Sequence, residues 1–287
     1  MIDVRALVSE AQELEPLPAS TTRLASLVAQ PEWDLDEIVE AISFDQALAG
    51  MLLGLANSAV GGARVEVKTI RDAVGRVGTG TVLSLAVGAR LKHELMQALP
   101  AYDIAEGGLF RHSVCAALAA QRAAEVTGTE PPPESFAAAL LHDVGKLILG
   151  RFLPPHLSRH LREQREGQGL SWIEAENAML RINHAHLGGL VARSWKLPAT
   201  IEEAVHSHHA PDEVEDERAR AVCRVVRLAD CVAITVGAGT TDRTAADLDA
   251  ALADFGITRE AFDAYAHGVA ADLGTVLACY GAGARAA

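Results

Sequence analysis

Apolar residues at helical spacing, interrupted by three chemically capable side chains, make Ala139–Lys146 the stretch that most restricts this chain. Leu140, Leu141, Val144, Leu147 and Ile148 follow the i, i+3, i+4, i+7, i+8 spacing of one buried helical face. At about 100° per residue, His142 and Lys146 fall together on the opposite side, with Asp143 on its flank. Ala138, Ala139 and Gly145 border that stripe with almost no side chain. The pattern predicts one continuous helix whose His, carboxylate and ammonium share an accessible side, with room for a metal ion or a phosphate. Taken alone it also fits a hydrogen-bonded core pair, so the decision rests on the histidines and aspartates further along.

The rest of the chain predicts an all-α fold. Alanine and leucine dominate, aromatics are 4%, and long Val/Ile/Thr alternations are absent. Asp45, Thr69 with Asp72, and Ser171 with Glu174 read as helix starts, as do Asp34 with Glu37 and Thr200 with Glu203. Pro31 is expected to end the helix through Leu24, Leu27 and Val28. Residues 1–15 read as a short acidic lead-in, 14–92 as an N-terminal subdomain of about five short helices, and 93–240 as the part carrying the chemistry. After a linker over 237–241, residues 241–287 read as C-terminal helices packed on the same unit.

A net charge of −13 argues against a phosphate-backbone binder, so no nucleic-acid partner is expected. No uninterrupted apolar run reaches the roughly 20 residues of a membrane span. The N-terminus lacks the basic and apolar regions of a signal peptide. Cys115, Cys223, Cys231 and Cys279 show no metal-site spacing. These features predict a cytoplasmic protein.

Among eleven histidines, His93, His156, His160, His206 and His267 lie in polar surroundings and read as solvated. His112 shares a helical stripe with Ala116, Ala119, Ala120 and Ala123, small residues that let another helix come close. His208 and His209 continue the apolar stripe of Ile201 and Val205, so they need hydrogen-bond partners, a metal, or the C-terminal dipole of their helix. His186 flanks the face of Leu187, Leu190 and Val191, and His184 sits in the preceding turn, so His186 is the expected ligand of the two. Asp230 lies between Val226 and Ile234 and wants a cation, for which Arg227 is the ordinary alternative. Together His112, His142, Asp143, His186, His208, His209 and Asp230 suit one or two divalent transition-metal ions (Fe, Mn, Ni or Zn), with Asp143 bridging if there are two.

Several motifs then bring a family into view: Arg111-His112-Ser113, Leu141-His142-Asp143-Val144-Gly145-Lys146, His186-Leu187-Gly188-Gly189, Trp195-Lys196-Leu197-Pro198, His208-His209 and Ala229-Asp230. With Leu14-Glu15-Pro16-Leu17-Pro18, Ile42–Ala49 and Leu55–Ala59 ahead of them, the chain resembles the HDOD family over roughly residues 14–240. That family is a branch of the HD metal-dependent phosphohydrolases. The resemblance implies an all-helical fold and a bacterial signal-transduction role through a protein or nucleotide partner. The alternative it implies is a metal-dependent phosphohydrolase or cyclic-nucleotide phosphodiesterase, with Asp143 at the metals and Lys146 stabilising phosphoryl charge. The chain is also similar to the HD-GYP phosphodiesterases. It departs from them at Ala210-Pro211-Asp212-Glu213, where no Gly-Tyr-Pro follows, and at Gly108, where some carry a glutamate ligand.

Overall fold

Helical periodicity carries through to three dimensions. The computed structural model describes residues 4–30, 32, 34–43, 45–58, 60–61, 65–239 and 245–282; all regular elements among them are helices. Pro31, Phe44, Ala59 and residues 240–241 of the expected linker lie outside the described residues. Among the described residues no single helix is long and apolar enough to cross a membrane.

The first helix, α1 (Val4–Glu13), stands where a lead-in was expected. Its Val4, Leu7, Val8 and Ala11 recur at helical spacing, and Leu7 and Ala11 are buried. The five helices expected over 14–92 follow: α2 (Ala19–Val28), α3 (Leu35–Ser43), α4 (Gln46–Ala56), α5 (Ile70–Val77) and α6 (Thr79–Leu95). Asp45 and Thr69 cap α4 and α5 by accepting the amides of Leu48 (2.9 Å) and Asp72 (3.1 Å). Asp34 accepts from the Asp36 amide at 2.8 Å, one residue short of the expected box. A turn of 3₁₀ helix, Pro100–Tyr102, closed by a bridge between Leu99 and Ile104, leads into the second part of the chain.

There α7 (Gly108–Arg122), α8 (Ala124–Thr127), α9 (Ser135–Leu141), α10 (Gly145–Phe152), α11 (Pro155–Gln168), α12 (Trp172–Leu180), α13 (His184–Ser194), α14 (Ala199–Ser207) and α15 (Glu217–Thr235) succeed one another. The Ser171–Glu174 capping box forms at α12. Thr200 does not cap α14, whose N-cap lies two residues earlier at Pro198 (φ −51°, ψ 144°). A proline already holds the extended entry that a helix start needs, with no hydroxyl required. Last come α16 (Ala245–Phe255) and α17 (Arg259–Ala282). Arg122 ties α17 down through Gly268 O (2.9 Å) and Asp272 Oδ2 (2.5 Å), and the Tyr280 hydroxyl reaches Ser84 O at 3.2 Å.

α1 packs on α10 and α13, while α7, α9, α13, α14 and α15 pack on one another and surround the centre of the second part. Buried side chains from Leu7 to Tyr280 form one hydrophobic cluster. The approach of α13 to α10 and α14 depends on glycine. A Cβ on Gly145 would stand 1.9 Å from His184 O, and one on Gly188 would stand 2.8 Å from Val205 Cγ1. The small residue beside His142 therefore admits helix α13, and the space anticipated there for a ligand is filled by backbone.

Gly145→Ala should cost about 1–3 kcal/mol or more through this overlap, measured as a fall in denaturation midpoint without loss of helicity. Because α6 packs on α7 and α9, residues 100–287 alone should not fold cooperatively. A thermal transition of that fragment as sharp as the full chain's would refute this.

Candidate metal centre

The stretch from 139 to 148 is not one uniform helix. After α9 ends at Leu141, residues 142–144 wind more tightly, with bonds Val144 N to Leu141 O (2.8 Å), Lys146 N to Asp143 O (2.9 Å) and Leu147 N to Val144 O (3.1 Å). These i to i−3 bonds give about three residues per turn, so side chains three apart eclipse. Lys146 therefore stands over Asp143 and not beside His142, with Nζ 2.8 Å from Asp143 Oδ2. His142, Asp143 and Lys146 are all buried, and Lys146 is 1% exposed. The accessible side expected from periodicity does not exist.

The five elements around this turn bring imidazoles and carboxylates together. On one side, His112 Nε2 of α7 lies 3.2 Å from His142 Nε2 and 3.1 Å from Asp230 Oδ1 of α15. Asp143 Oδ2 completes this side, 3.6 Å from His112 Nε2 and 3.5 Å from His142 Nε2. On the other side, Asp143 Oδ1 is 3.4 Å from His184 Nε2, which is 3.0 Å from His209 Nε2. The His208 ring lies between, tilted against His209 with centroids 4.1 Å apart and edge-on to His142 at 5.0 Å. The ligand atoms of His112, His142 and Asp230, of His184, His208 and His209, and of His142, Asp143 and His208 each converge closely enough for one ion.

Backbone and carboxylate partners orient these rings. His142 Nδ1 meets Ala139 O at 2.7 Å, and His208 Nδ1 meets Val205 O at 2.9 Å. His184 Nδ1 meets Glu176 Oε2 at 2.8 Å. Carbonyl and carboxylate oxygens only accept, so each Nδ1 donates its proton outward and each Nε2 faces the centre. Donors roughly 2.0–2.2 Å from an ion stand about 3.0–3.5 Å from one another, close to the spacings here. Charge points the same way, since three buried carboxylates (Asp143, Asp230 and Glu176) face a single ammonium, that of Lys146. The residues present fit one or two transition-metal ions.

The charged groups act strongly on one another. Burial pushes the Asp143 carboxyl up, but Lys146, His142, His184 and His112 outweigh it and hold it well below the usual carboxylate range. Burial opposes charge on His142, yet Asp143 and Asp230 outweigh it and raise its pKa. Arg227 is not the partner of Asp230, since it pairs with Asp254, with Nε 3.0 Å from Oδ2.

His112, His142, Asp143, His208, His209 and Asp230 are thus brought together as expected, and His186 is not. It is exposed, and its ring faces His206 at 5.1 Å. Burial, His206 and Arg193 lower its pKa. His184 takes its place. Asn183 caps α13 by accepting the His186 amide at 2.8 Å, which makes His184 the first residue of the helix. From there His184 shares the buried face of Leu187 and Val191 at i+3 and i+7, whereas His186 stands seven before the exposed Arg193. His93, His156, His160, His206 and His267 are exposed, as expected. The thiols of Cys115 and Cys223 are pushed up to about 12, chiefly by burial.

The profile of the HDOD domain matches residues 14–211. The chain belongs to the HDOD family. An HDOD domain protein of unknown function from Geobacter sulfurreducens superposes with a TM-score of 0.71 at 22% identity, covering 96% of this chain and 99% of that one. A protein of Marinobacter aquaeolei VT8, named as a candidate signal transduction protein, superposes with a TM-score of 0.69 at 20% identity, covering 98% of this chain and 65% of that one. In sequence, an uncharacterized protein of Treponema pallidum (strain Nichols) is 26% identical over 215 residues, 72% of this chain. This HDOD chain spans 40% of the length of that relative.

After chelator treatment and reloading with Mn²⁺, Fe²⁺ or Ni²⁺, elemental analysis should find His184→Ala depleted of metal relative to wild type and His186→Ala unchanged. Depletion by His186→Ala alone would reverse the assignment.

Proposed function

We propose that this HDOD protein is a cytoplasmic regulatory module of bacterial signal transduction that holds a buried transition-metal centre and acts by binding a protein or nucleotide partner. Asp230, His112, His142 and Asp143 would hold an ion on one side, and His184, His208, His209 and Asp143 on the other. Such ions supply Lewis acidity and lower the pKa of bound water when they carry chemistry, and rigidity when they do not.

The observation that carries the reading is the state of Lys146. For a phosphohydrolase, this ammonium would have to meet phosphoryl oxygens. Here it is buried, holds Asp143 at 2.8 Å and lies over the Tyr102 ring at 5.7 Å. Every other donor at the centre except His209 is buried as well, so the ligand set is walled in by helices. A centre so enclosed suits a role in fixing the relative positions of α7, α9, α13, α14 and α15. The second reading, a metal-dependent phosphohydrolase, draws on the completeness of the donor set.

Wild type loaded with Mn²⁺, Fe²⁺, Ni²⁺ or Zn²⁺ should release no phosphate from phosphomonoesters, nucleotides or cyclic dinucleotides above the rate of free metal. Metal-dependent release that is lost in His142→Ala and reduced on the order of 10²-fold in Lys146→Met would move the chain to the hydrolases.

A further inference from the structure

One buried carboxylate at the centre approaches from outside the ring of donors. Glu176, on α12, is fully buried. Its Oε2 accepts both the backbone amide of His184 at 2.7 Å and the His184 ring Nδ1–H at 2.8 Å. Its Oε1 accepts the Tyr102 hydroxyl at 2.7 Å. Glu176 therefore fixes the first residue of α13 in two ways, by satisfying an amide that has no partner within its own helix and by setting the ring's tautomer and tilt.

Tyr102 belongs to the 3₁₀ turn joining the N-terminal helices to α7, and its ring packs edge-on against Trp172 of α12 at 4.9 Å. The same ring lies under Lys146 Nζ, which also donates to Asp143 Oδ2 at 2.8 Å. Tyr102 thus bears on His184 through Glu176 and on Asp143 through Lys146. His112 and Asp230 reach the other side of the centre from α7 and α15, 3.1 Å from each other.

We propose that Glu176 is the positioning carboxylate of His184, held in turn by Tyr102, and that this pair sets the affinity of the metal position on the His184 side of the centre. The inference rests on the metal-centre reading above and deepens it. Removing an outer partner of a metal-bound histidine typically weakens binding by about 10–100-fold, because the ring loses both orientation and basicity. A purely structural hydrogen bond would lower stability without choosing between the two sides.

The test is a Mn²⁺ titration of chelator-treated full-length protein by equilibrium dialysis, in competition with a chelator of known affinity, with thermal unfolding of the metal-free forms alongside. Glu176→Gln should weaken one of two equivalents by about 10–100-fold and leave the other within about twofold. Tyr102→Phe, which keeps the ring against Trp172 and Lys146, should weaken the same equivalent by a few-fold. If wild type takes up one equivalent, the comparison is made on that one. Unchanged affinities in both variants overturn the proposal. So does equal weakening of both equivalents, or a change confined to the unfolding temperature of the metal-free protein. Should Glu176→Gln fail to fold, Tyr102→Phe decides, and wild-type affinity in it overturns the proposal. A wild type that takes up no Mn²⁺ sinks the metal-centre reading itself and needs no variant to show it.

Discussion

A fully desolvated carboxylate is costly, and the Asp143 side chain is both buried and ionised. Much of the second part of the chain is arranged around that fact. The tight turn over 142–144 sets Lys146 directly on Oδ2, while α7, α13 and the α9 end bring His112, His184 and His142 within 3.6 Å of the two oxygens. For those imidazoles to arrive, α13 must lie against α10 so closely that Gly145 and Gly188 admit no side chain. The apolar packing and the polar centre are therefore one construction. Gly145 and Gly188 are the condition for that close approach.

The inner donors are themselves positioned by groups that touch no ligand site. Carbonyls at Ala139 and Val205 and the Glu176 carboxylate take the Nδ1 protons of His142, His208 and His184. Each carbonyl belongs to the last turn of the helix that precedes its histidine, so the ends of α9 and α14 serve as hydrogen-bond acceptors for the rings that follow them. This two-layer arrangement holds the rings in one tautomer without help from solvent. Through Tyr102 it also ties the centre to the 3₁₀ turn that joins the N-terminal helices to α7.

The helices, and most of their starts, were legible because they depend on residues a few positions apart. Caps at Asp45, Thr69 and Ser171 are local chemistry, and α1 was missed only because its short apolar stripe of Val4, Leu7, Val8 and Ala11 was read as a lead-in. Six of the seven residues expected at the centre do lie together there, each a polar residue set within an otherwise apolar helical pattern. One cap separates His186 from the centre and brings His184 to it. Asn183 sets where α13 begins, and a shift of two residues turns a histidine by about 200°, from the buried face to solvent. Glu176 had a signal of the same kind, a carboxylate four residues from both Trp172 and Leu180 on the buried side of α12.

By itself the sequence determined an all-helical chain, the helices that carry the chemistry, and a donor set of imidazoles and carboxylates, because composition and periodicity are properties of neighbouring residues. Only the tertiary structure decided which face of the 139–148 stretch is open, and the answer was neither. A helical wheel assumes 3.6 residues per turn and an empty far side, and here the turn tightens to about three while α13 fills the space beside Gly145. It likewise decided that Lys146 serves Asp143 and that Asp254, not Asp230, takes Arg227. Those pairings depend on how distant helices settle against each other, and no spacing along the chain records that.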